Sequence, residues 1–291
     1  MTRRRRPAAK MQAMVTPDPP TADATPTADA RSTADATPTA ALAQEASATG
    51  GAWPGTAARA ERRTLRIGHK GADAVVPGNT LASLSKAAEL GADVVEFDAF
   101  PDADGVLRLV HDLGDLHAHP DAPTVAEALA WMRRPELAHL GINLDSKSIG
   151  DEQQIVDVLR EHEMIDRTLV STMEGPTLRA LRRIEPALRL GRSVPRITRD
   201  YYSNPVTRPG LIATVLAARR ILPPLLIREL RAGRIDAVMA HWGLLTPRFA
   251  RQITAHGELY VWTVDDAERA ARVAATGVTG ITSNDPRLLR W

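Results

Sequence analysis

Four points in the chain place groups capable of acid–base or metal chemistry at the end of a short apolar run. They are His69 and Lys70 in "LRIGHKG", Glu96 and Asp98 in "VVEFDAF", Asn143, Asp145 and Lys147 in "GINLDSKS", and Trp262 with Thr263 in "ELYVWTV". Alternation along a strand puts Glu96 and Asp98 on one face, and likewise Asn143, Asp145 and Lys147; Val95, Phe97, Ile142 and Leu144 point the other way. Three carboxylates in one place are costly to bury unless a cation or fixed basic groups compensate them. The chain has no cysteine, which excludes disulfides and thiolate ligands. An all-oxygen ligand set then suits one hard divalent ion, Mg2+ or Ca2+, rather than zinc.

His111, in "VLRLVHD", follows an Asp104-Gly105 pair that marks a tight turn, so an extended segment is expected to fold back over the same place. His111 would face His69 across the metal, a pair able to take a proton from one oxygen and give one to another. Asp112 caps a turn or orients His111. His117 and His119 have ligand-like i, i+2 spacing but stand in an expected irregular loop without further donors. His241, next to Trp242, lines a pocket or is a hydrogen-bonded structural histidine.

These residues need a frame that brings strand ends together. From Thr64 onward, β-branched runs alternate with helical patterns in eight strand-then-helix units, with "VLRLVHD" as an excursion after the second strand. Eight such units in residues 64–291 fit one α/β domain, a closed (β/α)8 TIM barrel, whose functional groups gather at the carboxyl ends of its strands. Helix starts are expected at Asn79, Thr124 and Asp151, and helix ends near Gly91, Gly257 and Gly277. The most apolar stretch, "LIATVLAARRILPPLLI", carries Arg219 and Arg220 and is broken by Pro223 and Pro224, so it reads as a barrel helix and not a membrane span.

Residues 1–63 are rich in Ala, Thr, Pro, Asp and Arg with the imperfect repeat "TADATPTADA", and read as a disordered low-complexity tail. The start "MTRRRRPAAK" has the charge of a secretory signal but not the apolar run that should follow, so a cytoplasmic location is expected. Of the chain's 37 Lys and Arg and 35 Asp and Glu, the tail holds nine and six, which leaves the rest close to neutral. A neutral body argues against a nucleic-acid partner.

In order, the segments "HKG", "PGNT", "EFD", "HD", "LDSK" and "VWTV" resemble the motifs of the glycerophosphodiester phosphodiesterases, over essentially everything from Leu65 to the C-terminus. That resemblance implies a (β/α)8 barrel that hydrolyses a small glycerophosphodiester, such as glycerophosphocholine or glycerophosphoethanolamine, to an alcohol and sn-glycerol 3-phosphate. It implies that Glu96, Asp98 and Asp145 hold one divalent cation, that His69 and His111 are acid and base, and that Lys70, Lys147, Asn79 and Trp262 bind phosphate or substrate. Three positions depart from the pattern. Lys70 replaces an arginine, Gly78 a glutamate, and Asp145 a longer glutamate, which puts substrate preference and metal affinity in question while leaving every catalytic group in place. A phospholipase D-type enzyme acting on lysophospholipid or sphingolipid, and a non-catalytic phosphodiester-binding barrel, are the alternatives.

Overall fold

The computed structural model describes residues 52–195 and 208–291. Within them, eight parallel strands close into a barrel. They are β1 (Leu65–Gly68), β2 (Val94–Pro101), β4 (Gly141–Ser146), β5 (Thr168–Thr172), β6 (Arg189–Val194), β7 (Ala237–His241), β8 (Glu258–Trp262) and β9 (Gly280–Ser283). Neighbours in sequence are neighbours in space, and β1 pairs with both β2 and β9, which seals the sheet. The helices between strands are α2 (Leu81–Glu89), α4 (Val125–Met132), α5 (Glu152–Glu161), α6 (Gly175–Ile184), α7 (Arg208–Arg231), α8 (Pro247–Thr254) and α9 (Ala267–Ala274).

Alternation sorts the strand residues as the sequence predicts. Val95, Phe97, Ile142 and Leu144 are fully buried in a core shared with Leu84 of α2, Leu129 of α4 and Ile155 of α5. Leu65, Ile67, Val94, Leu169, Met239 and Tyr260 form a second apolar cluster with Ala237 and Trp53. No helix among the described residues is long and apolar enough to cross a membrane.

Several expectations change. The folded domain begins before Thr64, because Trp53 is buried and α1 (Pro54–Glu61) packs beneath the strands. Trp53 Nε1 donates to Glu258 Oε2 (3.1 Å) and to the Tyr260 hydroxyl (3.2 Å), where β8 enters the barrel. Pro54 lies against the start of β4, where a Cβ on Gly141 would come within 2.8 Å of it. The remainder of the expected tail, residues 1–51, lies outside the described residues.

The excursion after β2 is shorter than expected. The turn at Gly105 (φ +80°) does return the chain, but β3 is only Leu107–Arg108, paired antiparallel with Phe100 and Pro101. His111 lies beyond it, just before α3 (Leu113–Ala118), so His117 is helical and not in a loop.

Helix boundaries also move. The cap of α2 is Thr80, whose hydroxyl accepts from Ser83 N (3.1 Å); Asn79 stands outside it at φ +55°. Asp151 precedes α5 without capping it, its carboxylate accepting instead from Ser148 Oγ (2.7 Å). Thr124 caps α4 in a reciprocal pair with Glu127. Gly257 is not a left-handed helix end; a Cβ there would come within 2.4 Å of Leu230 and 2.9 Å of the Asp236 carbonyl oxygen. The last unit ends in a single 3-10 turn, Pro286–Leu288, instead of a full helix.

Candidate active site

The parallel register of β2 and β4 pairs Glu96 with Asn143 and Asp98 with Asp145, so the carboxylates stack side by side at the carboxyl end of two neighbouring strands. One ligand atom from each of Glu96, Asp98 and Asp145 lies within 4.8 Å of the others. Glu96 is 5% exposed and Asp98 fully buried. Burial of this kind is tolerable only with compensation.

Compensation comes from three directions. The loop after β1 wraps Glu96, whose Oε2 accepts from Lys70 N (2.7 Å) and whose carbonyl accepts from Gly71 N (3.0 Å). Gly71 (φ +86°) makes this turn possible, since a Cβ there would lie 2.4 Å from the Ser83 backbone. Lys70 Nζ stands 3.4 Å from Asp98 Oδ2, and Lys147 Nζ stands 2.9 Å from Asp98 Oδ1 while also donating to Asp145. Asn79 Nδ2 donates to Asp98 Oδ2 (2.9 Å), and its Oδ1 accepts from Asp98 N (3.1 Å).

The charges respond to these surroundings. Burial, reinforced by Asp98 and Asp145 and opposed by His69, pushes the Glu96 carboxyl up to about 7. Burial also works against ionisation of Asp98, but Lys147 and Lys70 overcome it and hold that carboxyl well below the usual range. Burial acts against the Lys147 ammonium too, and Asp145 and Asp98 more than restore it, keeping it charged.

His69 ends β1, its amide tied to Ser283 O of β9 (2.9 Å). Its Nε2 lies 4.0 Å from Glu96 Oε2, and its Nδ1 lies 2.5 Å from Asn284 Oδ1. The strand ends thus bring together His69, Lys70, Asn79, Glu96, Asp98, Asp145 and Lys147. His111 does not join them through any hydrogen bond or ion pair among the described residues. It is exposed, with Nδ1 3.2 Å from Asp112 Oδ2, and Asp112 also caps α3 through Gly114 N and Asp115 N, so both readings of Asp112 hold. Trp262 is tied elsewhere, donating from Nε1 to Met239 O (2.9 Å) with its ring 5.3 Å from that of His241. His241 accepts from Gly243 N (3.1 Å), and burial together with Arg269 pushes its imidazole down to about 4.

Sequence reasoning missed three supporting residues. Ser171 donates to Asp145 (2.5 Å) and accepts from Asn143 Nδ2 (2.8 Å); Asn284 contacts His69; Asp265 accepts from Asn284 Nδ2 (2.6 Å). Closure of the barrel was the usable signal for Asn284. If β9 seals against β1, the polar end of "GITSN" must sit beside His69. At Gly78, a Cβ would lie 2.5 Å from Asp73 Oδ1 and 2.8 Å from Lys70 Cβ, so the room a glutamate would need is taken by Asp73 and Lys70.

The donor set fits a hard divalent ion. Asp98 Oδ1 is buried with only the Lys147 ammonium beside it (2.9 Å), and it belongs to a three-carboxylate group with no cysteine sulfur to compete. In a closed parallel barrel, carboxylates, lysines and a histidine at the carboxyl ends of the strands stand where such barrels carry their active sites. Residues 69–156, which carry most of this cluster, match the model of the Glycerophosphoryl diester phosphodiesterase family.

Three similar proteins are matched over nearly their full length. A glycerophosphodiester phosphodiesterase of Caldanaerobacter subterraneus subsp. tengcongensis is 24% identical over 78% of this chain and 96% of its own. Among solved structures, an Oleispira antarctica phosphodiesterase in complex with the product sn-glycerol-3-phosphate superposes with a TM-score of 0.59 at 20% identity, covering 77% of this chain and 94% of that one. A glycerophosphodiester phosphodiesterase from Parabacteroides distasonis gives 0.59 at 20% identity over 76% and 92%.

Proposed function

We propose that this chain is a metal-dependent glycerophosphodiester phosphodiesterase, releasing an alcohol and sn-glycerol 3-phosphate from a small diester such as glycerophosphocholine. The observation that carries this reading is the carboxylate triad of buried Glu96 and Asp98 with half-buried Asp145, beside His69 at one set of strand ends. The product bound to the Oleispira antarctica structure supports the substrate class.

Glu96, Asp98 and Asp145 would hold one divalent cation, Mg2+ or Ca2+, which when bound supplies charge stabilisation to the phosphoryl oxygens. Lys70 and Lys147 attract the phosphodiester monoanion and spread its developing charge. As a point charge, Lys70 orients the phosphate less strictly than a planar guanidinium would. His69 moves a proton at Nε2. His111, backed by Asp112, is the second proton carrier, and Trp262, with the His241 ring against it, lines the substrate pocket.

The reading is tested by incubating chelated protein with a panel of glycerophosphodiesters while adding back Mg2+, Ca2+ or Mn2+, and scoring released glycerol phosphate. Turnover that depends on the added ion supports it. Glycerol phosphate binding without turnover of any diester would leave a binding protein.

A further inference from the structure

The two side chains behind His69 carry an assignment that the motifs do not contain. Pairing of β1 with β9 sets Gly68 opposite Ser283, so the next residues, His69 and Asn284, leave the barrel side by side. Asp265, in the loop after β8, collects three donors there. Its Oδ1 accepts from Asn284 N (2.8 Å) and Ser283 Oγ (3.0 Å), and its Oδ2 accepts from Asn284 Nδ2 (2.6 Å).

A carboxylate only accepts hydrogen bonds, so the side of the Asn284 amide that faces Asp265 must be its NH2 group. The opposite side, facing His69 at 2.5 Å, is then the carbonyl oxygen, which also only accepts. Nδ1 of His69 must therefore carry a hydrogen. In the neutral ring that leaves Nε2, the nitrogen turned toward Glu96, as a bare lone pair. Turning the amide over would set its oxygen against the Asp265 carboxylate, and turning the ring over would put the carbon Cδ2 opposite the Asn284 oxygen and lose the hydrogen bond.

We infer that Asp265 and Asn284 are positioning residues that lock His69 in the Nδ1–H tautomer, so that its Nε2 enters the reaction as a proton acceptor. Asp265 sets Asn284, and Asn284 sets the histidine. Neither residue touches the substrate in this assignment. The inference rests on the reading of His69 as a proton carrier for its consequence in turnover, but the tautomer itself does not depend on that reading.

The test uses the full chain labelled with 15N at histidine, with two readouts. The ring nitrogen shifts of His69 at a pH where the ring is neutral, identified by their loss in His69→Ala, are expected to show Nδ1 protonated and Nε2 bare. In Asn284→Ala that pattern relaxes to a mixture of tautomers. In the exchange variant Asn284→Asp with Asp265→Asn, a carboxylate oxygen still accepts from Nδ1 while the amide at position 265 donates to its other oxygen, and the pattern persists.

On a soluble glycerophosphodiester, Asn284→Ala is expected to lose about 10²-fold in kcat, the lower end of what positioned acid–base catalysis contributes, with KM nearly unchanged. The exchange variant Asn284→Asp with Asp265→Asn is expected to recover most of that loss. Asp265→Asn, which can offer an NH2 to the amide and permit its inversion, is expected to resemble Asn284→Ala. A bare Nδ1 in the wild-type chain, or an unchanged tautomer and kcat in Asn284→Ala, would overturn the inference. If the wild-type chain shows the expected tautomer and turns over no diester, the proposed function fails while the tautomer lock stands.

Discussion

Asn79 and Asp98 hold each other at two points. The Asn79 amide nitrogen donates to the buried Asp98 carboxylate at 2.9 Å, and the Asp98 backbone N–H donates to the Asn79 carbonyl oxygen at 3.1 Å. The left-handed backbone at Asn79 (φ +55°) turns its side chain away from helix capping and toward β2. Asn79→Ala is expected to cost about 1–3 kcal/mol of stability, the price of two orphaned buried partners. It should also weaken divalent-cation affinity by roughly 10–100-fold, because the carboxylate loses the group that orients it. Thermal denaturation and calorimetric titration with Mg2+ or Ca2+ check both values.

Lys147 stands between Asp98 and Asp145, and its ammonium is the main compensation for both. Lys147→Met keeps the apolar stem and removes the charge, so it is expected to destabilise the metal-free protein by about 3–5 kcal/mol. A bound divalent ion supplies the missing charge. Melting temperatures with and without added cation should therefore show a larger metal-induced rise in Lys147→Met than in the unmodified chain.

Glu96 gives the metal-free protein a pH dependence of definite sign. Burial raises its carboxyl from the ordinary 4.5 to about 7, so the folded state holds a proton that the unfolded chain has released. The stability this contributes is fully present below about pH 4.5 and is lost as pH rises through about 7, a difference on the order of 3 kcal/mol. Chelated protein should melt lower at pH 8 than at pH 5.5, and Glu96→Gln should flatten that difference. For the same reason, cation binding should tighten with rising pH and release a proton near neutrality.

Trp53 tests where the domain begins. Its ring is buried beneath the barrel against Tyr260, with centroids 6.1 Å apart, and its N–H serves Glu258 and Tyr260. Trp53→Ala is expected to cost about 3–5 kcal/mol. A chain starting at Thr64 should lose at least as much, measured by chemical denaturation.

The barrel was legible in the sequence because strand and helix periods differ and each strand's two faces differ in polarity. Val95 and Phe97 against Glu96 and Asp98 is a pattern that only one orientation of β2 satisfies. The carboxylate set was legible for the same reason. Asn79 was misread because Asn and Thr are both good caps, and choosing between them depends on a buried partner, Asp98, nineteen residues away. The extent of β3 was overestimated because "VLRLVHD" has strand composition throughout, but only Leu107 and Arg108 find a partner strand. Trp53 was assigned to the tail with its neighbours on composition, although "WPGTAARAE" carries a bulky anchor and a proline at a helix start, which are the marks of a docked helix.

The most direct test of the proposed chemistry is release of glycerol phosphate from glycerophosphocholine by the full chain, measured with added divalent cation, after chelation, and in His69→Ala. The expected result is turnover that disappears on chelation, returns with Mg2+ or Ca2+, and falls at least about 10²-fold in His69→Ala. Turnover indifferent to chelator, or undiminished without the His69 imidazole, would contradict the assignment of the Glu96, Asp98, Asp145 and His69 cluster as the catalytic centre.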